Sequence, residues 1–149
     1  PSDGPERPCV RVLRADGTDT GIAFHGVPGG HEFNSFVVGL YNAAGPGQSI
    51  DPALAEAIAA IDRPLDLQIV VALSCTMCPE LVIAAQKIAA SNPLVTAKVY
   101  DVNHFPELRE RYKIMSVPCL INKAKVAFGK KTLGQLLELL AEPEAGQTG

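Results

Sequence analysis

"SCTMCPE", residues 74–80, is the stretch on which the fold turns. Two cysteines at this spacing suit three chemistries: a redox pair, two ligands of a metal ion, or two small core residues. The flanks narrow the choice. Before the pair, "LQIVVAL" (67–73) is a continuous apolar, β-branched run, the pattern of a strand buried on both faces. After it, Pro79-Glu80 leads into Leu81, Val82, Ala85, Ile88 and Ala89 at helical spacing, and "SNP" (91–93) stops the run. The pair therefore stands where a buried strand feeds a helix.

Further out, "VTAKVY" (95–100) reads as the next strand. Asn103 is expected to cap a short helix that opens near Pro106 and ends about Tyr112. "VPCLI" (117–121) and "KVAF" (125–128) are two short strands close enough to form an antiparallel hairpin, although the link "NKAK" (122–125) lacks the glycine such a turn favours. Thr132-x-x-Gln135 is a capping box, followed by Leu133, Leu136, Leu137 and Leu140 on one helical face. The order is β-α-β-α-β-β-α. A helical crossover makes the first two strands parallel. This order resembles the thioredoxin and glutaredoxin plan, so the expected fold class is α/β, thioredoxin-like.

The first third repeats the end of that plan. "RPCVRVL" (7–13) looks like "VPCLI", with Pro8-Cys9 against Pro118-Cys119, and "GIAF" (21–24) looks like "KVAF". Phe33, Phe36, Val37, Leu40 and Tyr41 then fall at helical spacing, and Phe33, Phe36 and Tyr41 are expected to be core. Residues 7–44 thus read as a partial β-β-α unit. A bridging helix follows, with Asp51 as N-cap, Pro52 at the first helical position, and Leu54, Ile58 and Ile61 facing inward. The expected organisation is a partial unit with its bridging helix over 1–62, a complete redox unit over 63–141, and a flexible tail over 142–149.

The chain has 149 residues, 47% hydrophobic and 19% charged, enough for one ordinary packed domain and unlike a disordered composition. Thirteen basic against sixteen acidic residues, with no basic stripe, argue against nucleic acid. The longest apolar run, Ile69 to Leu73, is far too short to span a bilayer. The polar start Pro1-Ser2-Asp3-Gly4-Pro5 is unlike a signal peptide and lacks an initiator Met, as a piece of a longer chain would. Four cysteines are too sparse for a secreted disulfide scaffold, so the expected setting is a reducing cytoplasm.

The chemistry follows from placement. The reactive form of a thiol is the thiolate, and a helix N-terminus favours negative charge; such sites lower a thiol pKa to roughly 3.5–7.5. Cys75 is the candidate attacker and Cys78, one turn on, the more buried resolving thiol. Glu80 would act against ionisation, and the intervening Thr76 and Met77 bring no positive charge. Val117-Pro118 stands where this fold carries a cis-proline facing the attacking sulfur. Cys119 beside it is either a third redox sulfur or a small buried residue. A metal site needs four well-spaced ligands. Cys9 and Cys119 follow prolines in two different units, and no second C-x-x-C is present, so no metal is expected.

"GVPGGHEFNSFVVGLYNAAG", "ALSCTMCPELV", "IMSVPCLIN" and "FGKKTLGQLLELL" together resemble the tandem thioredoxin-fold domain of the alkyl hydroperoxide reductase flavoprotein subunit. They also resemble the related module fused to thioredoxin-reductase-like flavoproteins of anaerobic bacteria. The resemblance covers residues 8 to 140. It implies a dithiol–disulfide oxidoreductase that takes electrons from a flavin-dependent disulfide reductase and passes them to a peroxiredoxin-type disulfide. FAD and NAD(P)H would belong to an attached or partner reductase domain, with no cofactor bound directly here. It also implies an acid–base role for Glu32, the Glu of "HEF"; a Glu in a first helical turn equally suits the helix dipole. In the family's flavoprotein the residue at position 119 is commonly not cysteine. The alternative to a shuttle is a non-catalytic docking or adaptor domain whose thiols only respond to oxidation.

Overall fold

A computed structural model describes residues 7–45, 47–123 and 125–142 of the chain. The strands are β1 (Cys9–Leu13), β2 (Asp19–His25), β3 (Leu65–Val71), β4 (Val95–Asp101), β5 (Cys119–Asn122) and β6 (Lys125–Phe128). The helices are α1 (Glu32–Ala44), α2 (Pro52–Ala59), α3 (Cys78–Ser91), α4 (Glu107–Arg111) and α5 (Leu133–Ala141). All six strands form one mixed sheet in the order β1-β2-β4-β3-β5-β6. This is a thioredoxin-like α/β fold.

Strand β3 sits inside the sheet because its sequence can only be buried. Leu65, Leu67, Ile69, Val70 and Val71 are each no more than 2% exposed. At about 1.5–3 kcal/mol per buried aliphatic side chain, this strand anchors the core. It runs parallel to β4, with Ile69 opposite Val99, and antiparallel to β5, with Ile69 opposite Leu120. Strands β5 and β6 form the expected hairpin. Lys123 takes the left-handed conformation (φ 56°) where the turn has no glycine. The partial unit joins through β2, which pairs with β4 in parallel, Phe24 opposite Val99.

Alternation splits the core into two layers. Leu67, Ile69 and Val71 pack with Ile22, Phe24, Leu81, Ile88 and Leu136 on the side of α1, α3 and α5. Val70, Val102, Ile114, Cys119 and Ile121 form a smaller cluster that includes Leu108 of α4, on the opposite face.

The caps follow the sequence with one exception. Asp51 accepts from the Ala53 N–H at 2.9 Å, and Pro52 opens α2. Thr132 and Gln135 complete both bonds of the capping box. Asn92 ends α3, and its side-chain amide donates to the Ile58 and Ile61 carbonyls at 2.9 and 3.1 Å, tying α2 to the end of α3. Asn103 does not cap α4. Its backbone N–H donates to Asp101 Oδ1 at 3.0 Å in the turn after β4, and Pro106 occupies the N-cap position.

Helix α1 corrects a larger expectation. Phe33, Val37, Leu40 and Tyr41 are 61%, 45%, 39% and 49% exposed, and Phe36 is only partly buried. The buried face carries Glu32, Ser35, Gly39 and Asn42 instead. Close approach to α3 explains it. A Cβ on Gly39 would stand 2.6 Å from Gln86 Oε1, so the contact face takes small residues and the apolar stripe turns outward. Of the expected tail, residues 143–149 lie outside the described residues. Among the described residues no helix is long and apolar enough to cross a membrane.

Candidate functional site

The turn after β3 delivers Cys75 to the surface and Cys78 to the core. Helix α3 begins at Cys78 with Met77 as N-cap, so Cys75 lies in the turn just before the helix. The Cys75 N–H donates to the Ala72 carbonyl at 3.0 Å, which tightens that turn. Its thiol is half-exposed and donates to the Val117 carbonyl at 3.9 Å. The Val117–Pro118 peptide is cis, and Pro118 is buried. Thr76 and Met77 are exposed beside the pair, Met77 by 50%.

Cys78 is fully buried, with its thiol beside that of Cys75. Burial pushes its thiol pKa far up, and the Cys75 contact and the negative charge of Glu32 add to the rise. One sulfur is thus accessible and the other protected, within contact of each other.

Glu32 comes from the other half of the chain, and a backbone latch brings it here. The His31 N–H donates to the Leu73 carbonyl at 2.9 Å. Gly30 has φ +53°, and a Cβ there would stand 2.6 Å from the same oxygen. Only glycine allows the loop before α1 to lie this close to the loop that carries Cys75. Glu32 opens α1 with no exposed surface. Burial raises its carboxyl pKa to about 7, against the lowering effect of the Ser35 hydroxyl. That hydroxyl donates to Glu32 Oε1, while Oε2 is buried with no hydrogen-bond partner among the described residues. The sequence does not single out Ser35, yet its position three residues after Glu32 puts both on one helical face.

Cys119 is placed differently. It is buried in the cluster on the α4 face, whereas Cys78 belongs to the layer under α3, so the sheet lies between their side chains. Burial pushes its thiol pKa up to about 11. Cys9 lies on β1, with β2, β4 and β3 between it and β5. Among the described residues no three His, Cys, Asp or Glu side chains cluster as metal ligands. The arrangement therefore gathers Cys75, Cys78, Val117, Pro118 and Glu32, and sets Cys9 and Cys119 apart.

Comparison with known proteins gives the same framework. The thioredoxin domain family matches residues 65–141. The chain is 33% identical over 134 residues to the F subunit of alkyl hydroperoxide reductase of Pseudomonas aeruginosa, covering 90% of this chain and 25% of that protein. It is 30% identical over 131 residues to an NADH dehydrogenase of Bacillus subtilis, covering 87% of this chain and 26% of that protein. The chain thus spans about a quarter of the length of these curated relatives. Among solved structures, the NTD_N/C domain of the alkylhydroperoxide reductase AhpF from Enterococcus faecalis superposes with a TM-score of 0.87 at 42% identity. That match covers 91% of this chain and 66% of the other. A protein disulfide oxidoreductase from Aeropyrum pernix shares the fold, with a TM-score of 0.78 at 21% identity. With a redox-type cysteine pair on this scaffold, the chain belongs to the thioredoxin-domain family, as a disulfide oxidoreductase domain of the AhpF type.

Proposed function

We propose that the chain passes electrons from a flavin-dependent disulfide reductase to the disulfide of a peroxiredoxin-type partner through Cys75 and Cys78. The observation that carries this reading is the pairing of a half-exposed sulfur with a buried one beside a buried carboxyl group. In the outward step, the Cys75 thiolate attacks one sulfur of the partner disulfide, and the other leaves as a thiolate. Cys78 then gives up its proton and attacks Cys75, releasing the partner as a dithiol and closing the Cys75–Cys78 disulfide.

Cys78 is the difficult group, because burial opposes its ionisation. Glu32 answers that difficulty. With a pKa of about 7 and one carboxyl oxygen free of protein partners among the described residues, it exchanges a proton near neutral pH and receives the one that Cys78 loses. Val117 and Pro118 form the wall against which the partner chain lies. Exposed Met77 and Met115 offer it adaptable apolar contacts, Met115 being 82% exposed.

FAD and NAD(P)H are assigned to the reductase that supplies the electrons. The strand-to-helix turn over 72–77 carries Cys75, Thr76 and Met77 where a dinucleotide phosphate site needs glycines, so these residues do not fit such a group. A reducing compartment such as the cytoplasm suits a dithiol that must be regenerated. Replacing Cys75 with Ser should abolish NAD(P)H-driven reduction of the peroxiredoxin disulfide in the reconstituted system. Turnover unchanged by Cys75→Ser would overturn the proposal.

A further inference from the structure

Ser35 has a place beside the site that the cysteine pair alone does not explain. It lies on the face of α1 that meets α3, with no exposed surface, three residues after Glu32. Its hydroxyl stands 2.9 Å from the Glu32 main-chain carbonyl and also reaches Glu32 Oε1. A hydroxyl carries one proton, so it donates fully to only one of these acceptors at a time. The main-chain oxygen accepts in every state of the protein. Oε1 is the better acceptor when the carboxyl is ionised, because hydrogen bonds to charged groups are the stronger ones. The other oxygen, Oε2, is buried with no partner among the described residues.

The two oxygens of Glu32 therefore differ. Oε1 is held within its own helical turn, and Oε2 is left for an incoming proton. The source of that proton is close, since the charge of Glu32 is felt at the Cys78 thiol across the contact of α1 with α3. Other titratable groups stand at this end of the contact. Glu80, in the first turn of α3, and His31, just before α1, are exposed, and Cys75 is half-exposed. Asp101, at the end of β4, is buried and accepts from the Asn103 N–H. Glu32 itself responds to burial and to the Ser35 bond, which act in opposite directions.

We propose that Ser35 is the positioning residue that readies Glu32 for the Cys78 proton, donating to Oε1 while the carboxyl is ionised and turning to the main-chain carbonyl when it is neutral. The inference rests on the acid–base role proposed for Glu32 above. In the resolving step the Cys78 proton moves to Oε2, and the Cys78 sulfur attacks Cys75. The bond from Cys75 to the partner breaks, the Cys75–Cys78 bond forms, and the partner sulfur leaves as a thiolate. When the Cys75–Cys78 disulfide is next reduced, Cys78 leaves as a thiolate and takes the proton back from Oε2. Without the Ser35 hydroxyl the carboxylate loses the hydrogen bond that offsets its burial. It then stays protonated to higher pH and cannot receive the proton.

The test follows the resolving step directly, in the chain carrying Cys9→Ser, so that Cys75 is the accessible thiol while Cys119 stays buried. The reduced chain is mixed with dithiobis(nitrobenzoate) by stopped flow. Attack by Cys75 releases one coloured thiolate, and attack by Cys78 on the mixed disulfide releases a second. The second release should slow as pH falls through about 7. Ser35→Ala should move that midpoint up by about one pH unit or more, and slow the step roughly fivefold or more at about pH 7. At about pH 9.5 the two rates should converge, which a general loosening of α1 would not produce. The Glu32 carboxyl resonance, followed by NMR titration in Ser35→Ala, should move up by the same interval. An unchanged midpoint in Ser35→Ala, or a slowing that is equal at every pH, would overturn the proposal. Glu32→Gln separates this inference from the reading beneath it. If Glu32→Gln resolves as fast as the parent chain, the acid–base role of Glu32 fails and this inference with it. If Glu32→Gln is slow while Ser35→Ala keeps the parent midpoint, this inference alone fails.

Discussion

Glu32 is a carboxyl group that the fold keeps from ionising until near neutral pH. Its folded pKa is about 7, above the ordinary 4.5, because burial disfavours its charge. Between these values the folded state holds a proton that the unfolded chain has lost. The stabilisation it contributes is therefore fully present below about pH 4.5 and is lost as pH rises through about 7. Glu32→Gln keeps a neutral side chain and should escape that loss. The variant should gain roughly 3 kcal/mol on the native chain between acid and mildly alkaline pH. Urea denaturation of both proteins at about pH 5 and about pH 8 measures it, and a constant difference between them would contradict the assignment.

At the scale of elements, the loop before α1 and the stripe along α1 carry separate consequences. Gly30 has a positive φ, and its missing Cβ leaves space for the Leu73 carbonyl. Gly30→Ala adds strain of about 1–2 kcal/mol from the backbone and more from the contact. It should lower stability by at least that amount and also push α1 away from the Cys75 turn. The carboxyl resonance of Glu32, followed by NMR titration, should then move toward an ordinary pKa. An unchanged titration would show that the latch does not position Glu32. The outer stripe predicts the reverse. Val37 and Leu40 are 45% and 39% exposed, so Val37→Lys with Leu40→Lys should shift the thermal midpoint by only about 3 °C. A fall of about 10 °C would mean that this face is packed.

For the molecule as a whole, we propose that residues 1–62 and 63–141 are a partial and a complete unit of one plan that share a single sheet. Both carry an antiparallel hairpin followed by a helix: β1, β2 and α1 in one, β5, β6 and α5 in the other. The shared layer holds Val12, Ile22, Phe24 and Ile58 from the first part with Leu67, Ile69 and Ile88 from the second. Neither part closes that layer alone. Unfolding should therefore be a single cooperative transition, with far-UV circular dichroism and tyrosine fluorescence coinciding along one denaturant curve. Two separated transitions would show that the parts fold independently.

The sequence by itself determined the order of elements and the position of the cysteine pair. Those are local matters: the apolar run of β3, the helical spacing after Cys78, and the caps at Asp51 and Thr132 depend on neighbours within a few residues. Only the tertiary structure decided which face of α1 is inside and what surrounds each sulfur. Hydrophobic spacing put Phe33, Val37, Leu40 and Tyr41 on one stripe, but Gly39 against Gln86 and Gly30 against Leu73 set the direction of that stripe. Sequence also put Cys119 beside Pro118 without saying which side of the sheet it faces, and held no sign that Cys9 meets His25. Those relations come from strand pairing and helix approach across distant parts of the chain, and a pattern of near neighbours does not encode them.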